Sequence, residues 1–475
     1  MTHFYALYRP IHASYLIATG AISTVLGIVS CMIFSAFFTD ISWLILAIIL
    51  LSVSFYKRQK WVIILVIIAG GLIGAWRGGY AVIERQKFEV LYGQTVSLYG
   101  TVSEDVVEGK YGEKRIVLTN IQIKNRSYSG SIWVAAYTKQ HIKRSDAISI
   151  QGKIKNGFGG YAASIANAQV TTFQHRGDTA RDVRDTFSQR VRNSIPEPEA
   201  SLGIGFLVGQ RSSLPEEFDT ALRVAGLTHI VVASGYNLTV LLRAAKRLFS
   251  RISKYLTALV GGSLVVGFIF ITGLSPSMSR AGLVAGLSLA AWYYGRKFNP
   301  FILLPIVAAL TIMWNPSYVW GDIGWYLSFA AFTGVMIVSP LLHHYFFGPK
   351  KPGFFRQILF ETTAALIMTI PITVLIFQQY ATYALIANIL IVPIISVVML
   401  LVFIAGILPA SAPLAYIPLH YITTITQWIN QLPNASGEAH VSVWFGVVWY
   451  VLVFGFSWYM WRKTAHDFCD DNLIE

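Results

Sequence analysis

Charged side chains are scarce in this chain. Asp, Glu, Lys and Arg make up 13% of its 475 residues, whereas a soluble globular protein carries roughly a quarter. Hydrophobic residues reach 55%, and long apolar runs recur along the sequence. The shortage of charge argues against an ordinary soluble protein and predicts a polytopic α-helical membrane protein.

Residues for covalent and metal chemistry are also few. Cys31 and Cys469 lie at opposite ends of the chain, and the ten histidines are scattered, so the spacing indicates neither a disulfide nor a metal site. No glycine-rich phosphate loop of the Walker type occurs. His229 and Ser234 resemble a base and a nucleophile, but five residues on a helix place them about 140° apart. We therefore expect no catalytic residue, no metal and no cofactor.

The charge that is present is mostly positive, with a formal net charge of +14. Lys and Arg beside apolar runs indicate loops on the cytosolic side of a membrane, and excess positive charge also suits a polyanionic partner. The basic sequence KRQK at 57–60 separates the second and third apolar runs. We predict N-terminal transmembrane helices in residues 1–78, with the chain leaving the membrane on the outer side.

Residues 79–177 differ in kind, because polar and apolar residues alternate there in short runs such as VSLYGTVSED and RIVLTNIQIK. Alternation with period two and many β-branched residues predict strands. About five short strands suit a small extracytoplasmic β-domain, either an OB-like barrel or a sandwich.

Basic and aromatic residues are interleaved in this β-domain, which is typical of a groove for single-stranded nucleic acid. The alternative is a basic surface beside anionic lipid, with the aromatic residues in the core. The predicted DNA-binding residues are Lys110, Tyr111, Lys114, Arg115, Lys124, Arg126, Tyr128 and Trp133.

The rest of the chain is predicted to be mostly membrane-embedded. Residues 178–199 alternate in charge sign and predict an amphipathic helix lying at the membrane surface. Residues 200–465 form a transmembrane domain, and 466–475 form a polar tail. Within this domain, residues 202–242 are apolar but interrupted, which predicts either a broken helix or a re-entrant pair.

Polar residues at membrane depth are costly unless they face a bundle interior or an aqueous path. Gly226–Leu242 contains several of them in the sequence GLTHIVVASGYNLTVLL. Each charged residue also has a simpler interpretation, as an interfacial anchor. The predicted channel-lining residues are Arg211, His229, Ser234, Gly235, Asn237, Arg280, Asp322, Ser328 and Asn388.

Four motifs in order carry a resemblance to a known family. They are GFLVGQRSSLPEEFDTALRVAGLTHIVVASGYNLTVLL, SMSRAGLVAG, NPSYVWGDIGWYLSFAAFTGVM and ANILIVP. Together with the domain plan, they resemble the ComEC-type competence proteins, the inner-membrane channels for DNA uptake in natural transformation. The resemblance covers essentially the whole chain. It implies single-stranded DNA as cargo and the lipid bilayer as surroundings, and it suggests as partners a DNA receptor, a cytosolic translocation ATPase and a separate nuclease.

The chain departs from the family pattern in two ways. Asn237 stands where the family usually has His, so a role that needs a titrating side chain at this position is not expected. Many members also carry a metallo-β-lactamase-like domain, whereas this sequence has no H-x-H-x-D-H motif. The alternative functions are transport of another polyanion or envelope polymer, and a non-transporting paralogue.

Overall fold

The computed structural model describes residues 12–31, 38–57, 59–109, 112–210, 214–231, 235–273, 276–296 and 299–468. Seven of the described helices are long and apolar enough to cross a membrane. The predicted fold class is confirmed: the chain is a polytopic helical membrane protein that carries a small β-barrel. It divides into two compact units, one of residues 1–178 with 301–325 and the other of 179–300 with 326–475.

The first unit begins with three helices, α1 (Ala13–Ser30), α2 (Ile41–Lys57) and α3 (Ile63–Glu89). Helices α1 and α3 pack with their backbones in close approach, because glycines face the partner helix at Gly27 and Gly74. Small residues at such positions are a common basis of helix association in membranes.

Helix α3 continues to Glu89, past residue 78, where the sequence predicted the end of the N-terminal helices. The apolar run stops near Trp76, but the helix extends as a more polar segment. Its Phe88 is fully buried and contacts the ring of Tyr128 in the β-domain, with the two ring centroids 5.1 Å apart. Packing of Phe88 against the β-domain therefore stabilises the helical form of this polar extension, and the local sequence does not show that contact.

The β-domain contains strands β1 (Thr95–Val102), β2 (Val107–Glu108), β3 (Lys114–Ile123), β4 (Arg126–Tyr128), β5 (Ile132–Ala136), β6 (Ala147–Asn156) and β7 (Ala163–Gln174). Five of them follow the order β1-β6-β7-β5-β3, and pairing of β3 with β1 closes the barrel. Strands β5 and β7 pair in parallel, and the other neighbours are antiparallel. This is the connectivity of an OB-fold, so the barrel alternative is confirmed and the sandwich is not formed.

The barrel core follows from the alternation in the sequence. On β3, Ile116, Leu118, Ile121 and Ile123 are buried, and the residues between them face outward. Because successive side chains of a strand point to opposite faces, the outward residues of β3 and β5 form a continuous outer surface.

The first unit also contains α11 (Pro300–Trp314) and a 3-10 turn at Pro316–Trp320. Arg77 of α3 donates hydrogen bonds to the carbonyl oxygens of Met313 (2.8 Å) and Trp314 (3.0 Å). These bonds satisfy carbonyls at the end of a helix, which have no intrahelical partner. They connect α3 to the segment that precedes Asp322.

The second unit contains the other helices. They are α4 (Thr179–Ser194), α5 (Glu199–Val208), α6 (Glu216–Val224), α7 (Thr228–Val231), α8 (Gly235–Phe249), α9 (Lys254–Thr272), α10 (Pro276–Tyr293), α12 (Ile323–Thr333, which begins in the first unit), α13 (Ser339–Phe347), α14 (Phe354–Phe377), α15 (Ala384–Ile407), α16 (Ala412–Gln431) and α17 (Val443–Thr464). A π-helical segment at Gly334–Val338 joins α12 to α13. Strands β8 (Gln379–Ala381) and β9 (Ser436–Glu438) pair as a two-stranded antiparallel sheet, although α15 and α16 lie between them in the chain.

Helix α4 is more deeply packed than the predicted surface helix. Arg181 and Arg184 are 6% and 3% exposed, on the same face as the buried Val191. Arg184 pairs with Asp185 at 3.1 Å, and Phe187 stacks on Phe403 of α15. The charge of Arg184 is paired with a neighbour on the same helix, which lowers the cost of burying an arginine that the sequence suggests would face solvent.

The described residues between 202 and 242 form short, separate helices, and whether this segment crosses the membrane or re-enters it stays a prediction. Helix α5 stops at Gly209, a left-handed residue with φ 73°, and α6, α7 and α8 follow as separate pieces. The apolar residues around α5 leave no space between them that would hold a water molecule; they are Leu202, Phe206, Leu222, Leu227, Ile230, Val231, Ile391 and Ile422.

Candidate nucleic-acid interface

The outer face of strands β3 and β5 is the surface on which OB-folds bind oligonucleotides. Trp133 of β5 is half-buried on this face and lies opposite Val117 of β3. On its other side Trp133 lies opposite Ser164 of β7, which in turn lies opposite Lys155 of β6. Directly opposed residues share a face, so one row crosses the outside of the barrel from Val117 to Lys155.

Three aromatic rings are gathered at this row. The ring centroids of Trp133 and Phe158 are 5.3 Å apart, and those of Phe158 and Tyr161 are 5.5 Å apart. Phe158 is 52% exposed, so its ring is available to a ligand. We call Trp133, Phe158 and Tyr161 the aromatic cluster.

Positive charge flanks the aromatic cluster on both sides. Arg115 lies two residues from Val117 on the outward face of β3 and is about 7 Å further along that strand. Lys155 is exposed two strands from Trp133, at about 10 Å. Arg115 also forms an ion pair of 2.8 Å with Glu113, which holds its guanidinium at the edge of the barrel.

Negative charge lies next to the same cluster. Burial, together with the nearby carboxylates of Asp322 and Asp105, raises the pKa of Glu104. Burial and the carboxylates of Glu104 and Asp322 raise the pKa of Tyr161 to about 12. Tyr161 therefore keeps its proton at any physiological pH, and this side of the cluster repels phosphate while leaving the ring faces able to stack.

The basic residues predicted from the sequence do not form one group. Lys114 is the first residue of strand β3 and Lys124 follows its last residue, so the two side chains are about 30 Å apart. Lys114 donates to the carbonyl oxygen of Gln140 at 2.7 Å, whereas Lys124 and Arg126 are exposed on the β3–β4 hairpin at the opposite end. Of the eight predicted residues, the structure brings Arg115 and Trp133 together.

Tyr128 is better explained as a core residue. Its ring packs against Phe88 and the barrel interior, so it does not present a face to a ligand. Tyr161 and Lys155 belong to the interleaved basic and aromatic residues of the β-domain but are not among the eight predicted residues, and neither is Phe158. The motif NGFGGYA at 156–162 held the missing signal, because glycines around aromatic residues indicate a loop that presents them.

Two predicted lining residues lie close together in the membrane domain. Asn237 is fully buried, and its Nδ2 donates to the carbonyl oxygen of Phe206 at 2.8 Å. Gly235 begins α8, and a Cβ there would lie 3.4 Å from Ala281 of α10 and 3.6 Å from Phe332 of α12. Asn237 therefore joins α8 to α5, and Gly235 brings α8 against α10.

The neighbouring helix α10 carries Arg280, one residue before Ala281. Arg280 is 1% exposed and is the largest of the fully buried side chains in the described part of the chain. A buried guanidinium at such depth is costly and is tolerated at membrane depth mainly in a bundle interior. Arg280 is therefore packed among other residues of the protein, and its place in a channel lining stays a prediction.

The remaining lining residues have local contacts. Asp322 caps α12 by accepting a hydrogen bond from the amide of Trp325 at 2.7 Å, and Asn388 donates to Ala384 within α15 at 2.7 Å. Ser328 is half-buried on α12, and His229 is exposed on α7. Two predicted lining residues lie outside the described residues, namely Arg211 and Ser234. The same is true of two predicted DNA-binding residues, Lys110 and Tyr111.

A comparison with protein families identifies the membrane part of this chain. A family model described as Competence protein matches residues 206–464, which is more than half of the chain. The chain belongs to the Competence protein family. Over 255 residues it is 24% identical to "ComE operon protein 3" of Bacillus subtilis (strain 168), a match that covers 52% of this chain and 32% of that relative. No solved structure matches the chain.

The Competence protein match begins inside helix α5 and ends at the last residue of α17. It begins at Phe206, the residue whose carbonyl oxygen Asn237 binds, and it contains Gly235, Arg280 and Asn388. The β-barrel precedes the matched segment. The residues that join α5, α8 and α10 therefore belong to the part of the chain that the family shares.

Proposed function

We propose that this Competence protein is an inner-membrane channel that passes single-stranded DNA into the bacterial cytoplasm during natural transformation. Family membership supports a role in DNA uptake. The β-barrel, placed outside the cytoplasm, binds the strand first. The single observation that carries the binding step is the aromatic cluster on the OB face, between Arg115 and Lys155.

The geometry supports a division of the ligand into bases and phosphates. Bases stack on Trp133 and Phe158, because every base has an apolar face and such stacking tolerates any sequence. Phosphates contact Arg115 and Lys155 at the flanks and avoid the side of the cluster where Glu104 and Asp322 lie. Binding of this kind is weak enough per nucleotide for a strand to move on.

In the membrane domain, the proposed path uses the elements around α8. Arg280 meets passing phosphates, and Asn237 and Gly235 shape the wall by a hydrogen bond and by close approach. A DNA receptor, a cytosolic translocation ATPase and a separate nuclease are the proposed partners.

The binding step is tested with the purified full chain and a fluorescent oligothymidylate. Replacing Trp133 and Phe158 together by Ala removes two stacking platforms worth about 1–3 kcal/mol each, so affinity is expected to fall at least about 25-fold. Tyr137→Ala is the matched control, because this ring is 58% exposed on the same barrel but lies outside the aromatic cluster. Equal affinity of all three proteins would contradict the proposal, as would equal competition by an unrelated polyanion that lacks bases.

A further inference from the structure

Three helix ends meet at one end of the second unit. Tyr345, near the end of α13, packs on Tyr459 of α17 with ring centroids 6.2 Å apart. The Nδ1 atoms of His344 and His466 are 2.9 Å apart, which connects α13 to the segment that follows α17. Helix α14 begins after the short loop that leaves α13, so its first turn lies at the same end.

Cations at this end are placed over aromatic rings. The guanidinium carbon of Arg356 on α14 lies 4.6 Å from the ring centroid of Phe347 on α13. The Nζ of Lys463 on α17 lies 5.1 Å from the ring centroid of Tyr345, and also contacts Tyr459. Side chains of adjacent helices therefore hold two cations in position, in addition to the flexible lysines of the loop at 350–351.

These cations are exposed and keep their charge available. Arg356, Arg462 and Lys463 form no ion pair with a carboxylate in the part of the chain that the structure describes. A cation–π contact leaves the N–H donors of the cation free for an anion. Among the described residues, these cations therefore leave room for an acceptor with negative charge.

Exposed apolar rings occur on the same ends of α13, α14 and α17. The side chains of Phe346, Phe354, Phe355 and Trp461 are between 47% and 72% exposed. Phenyl and indole rings beside Lys and Arg are typical of the level at which lipid headgroups meet acyl chains. A free inorganic anion would use the cations but leave these rings in water, whereas a lipid uses both.

From this arrangement we infer that the ends of α13, α14 and α17 form a binding site for an anionic phospholipid. Arg356 and Lys463 bind the headgroup phosphate, and the exposed phenyl rings contact the acyl chains. Because anionic lipids of the cytoplasmic leaflet attract basic segments, the proposal places this site at that leaflet. This inference does not depend on the DNA channel, because none of its residues belongs to the proposed path.

The test measures thermal stabilisation of the full chain in an uncharged detergent as a phospholipid is titrated. Phosphatidylglycerol is expected to stabilise the protein, and phosphatidylcholine with the same acyl chains is expected to have a much smaller effect. Each cation near the surface contributes about fivefold to such binding. The double variant R356Q/K463Q should therefore weaken the apparent affinity for phosphatidylglycerol by about 25-fold, and R356K/K463R should restore most of it.

Arg251→Gln is the matched control, since it removes an exposed cation elsewhere in the second unit and should leave the affinity unchanged. An equal loss in this control would overturn the inference, because it would show general attraction of anionic lipid to a basic protein. Equal stabilisation by inorganic phosphate would also overturn it, by assigning the cations to a simple ion site. If R356Q/K463Q does not fold, loss of phosphatidylglycerol binding at high salt by the wild type, with phosphatidylcholine unaffected, still distinguishes a charged-headgroup site from apolar adsorption.

Discussion

Asn237 illustrates how a single polar residue is used in this membrane domain. The family pattern usually has His at this position, and the structure shows that Asn supplies a donor to the Phe206 carbonyl oxygen without needing to titrate. The bond joins the ends of α5 and α8 at a point where the chain is broken into short helices. The hydrogen bond therefore fixes α8 against α5, and a role of Asn237 in the proposed path stays a prediction.

Replacing Asn237 by Ala should destabilise the protein by about 1–3 kcal/mol, because a buried carbonyl oxygen loses its donor. The measurement is thermal unfolding of the purified full chain. Thr239→Ala is the control, since the Thr239 hydroxyl bonds within its own helix to Gly235, and its loss should cost about 0.5 kcal/mol or less. Equal stability of the Asn237 variant and wild type would contradict a stabilising hydrogen bond between Asn237 and Phe206.

Glu104 gives the β-barrel an unusual dependence on pH. Its pKa is raised above the ordinary value of 4.5, chiefly by burial and then by Asp322 and Asp105. The folded state therefore holds the proton more tightly than the unfolded state does. Stability linked to this group is greatest below pH 4.5 and is lost as the pH rises through the raised pKa.

The variant Glu104→Gln should remove the loss of stability that ionisation of Glu104 causes as the pH rises. We expect its barrel amides to be better protected than those of wild type near neutral pH, with the difference shrinking as the pH falls toward 4.5. Hydrogen exchange of the full chain at several pH values measures this difference directly. Glu108→Gln, an exposed carboxylate on β2, serves as the control. A difference that grows toward acid pH would have the wrong sign and would refute the explanation.

At the scale of elements, the approach of α1 to α3 depends on which face a glycine occupies. A Cβ at Gly74 would overlap the carbonyl oxygen of Thr24, whereas a Cβ at Gly71, one turn away on α3, would meet no atom within 4 Å. The backbone of α1 cannot move aside as a flexible side chain can. These two glycines therefore form a matched pair for testing the packing.

Gly74→Ala should destabilise the first unit by about 1–3 kcal/mol, as overpacking commonly does. Gly71→Ala should be neutral or slightly stabilising, because Ala has the higher helix propensity. Protein yield in the membrane and thermal unfolding are the readouts. If both variants behave alike, the close contact between α1 and α3 is not formed in the protein.

The elements differ in how far their sequence determines them. The barrel strands could be predicted because apolar and polar residues alternate along them, as they do in β3, where buried and outward-facing residues alternate in the structure. The aromatic cluster could not, because Trp133 and Phe158 meet only through the parallel pairing of β5 with β7, which no local pattern shows. The composition of the buried face of α4 could not be predicted either, because Arg184 lies on it and is paired with Asp185, although the sequence displays it as a charged residue.

At the scale of the whole molecule, two features support a DNA path. The barrel presents rings and cations on its OB face, and the segment that the Competence protein family shares contains a buried Arg280 and an Asn237 that joins two short helices. Nothing in this scheme requires catalysis by the chain. If the proposal is right, cells need this chain for DNA to enter the cytosol, but they do not need it to capture DNA at the cell surface.

The most direct measurement deletes the gene and follows labelled DNA in cells that carry out natural transformation. If the chain is the channel, labelled DNA should still bind the cell surface, should not reach the cytosol, and transformants should be lost. Restoring the wild-type chain should recover both cytosolic DNA and transformants. Normal transformation and normal cytosolic DNA in the deletion strain would contradict the central claim.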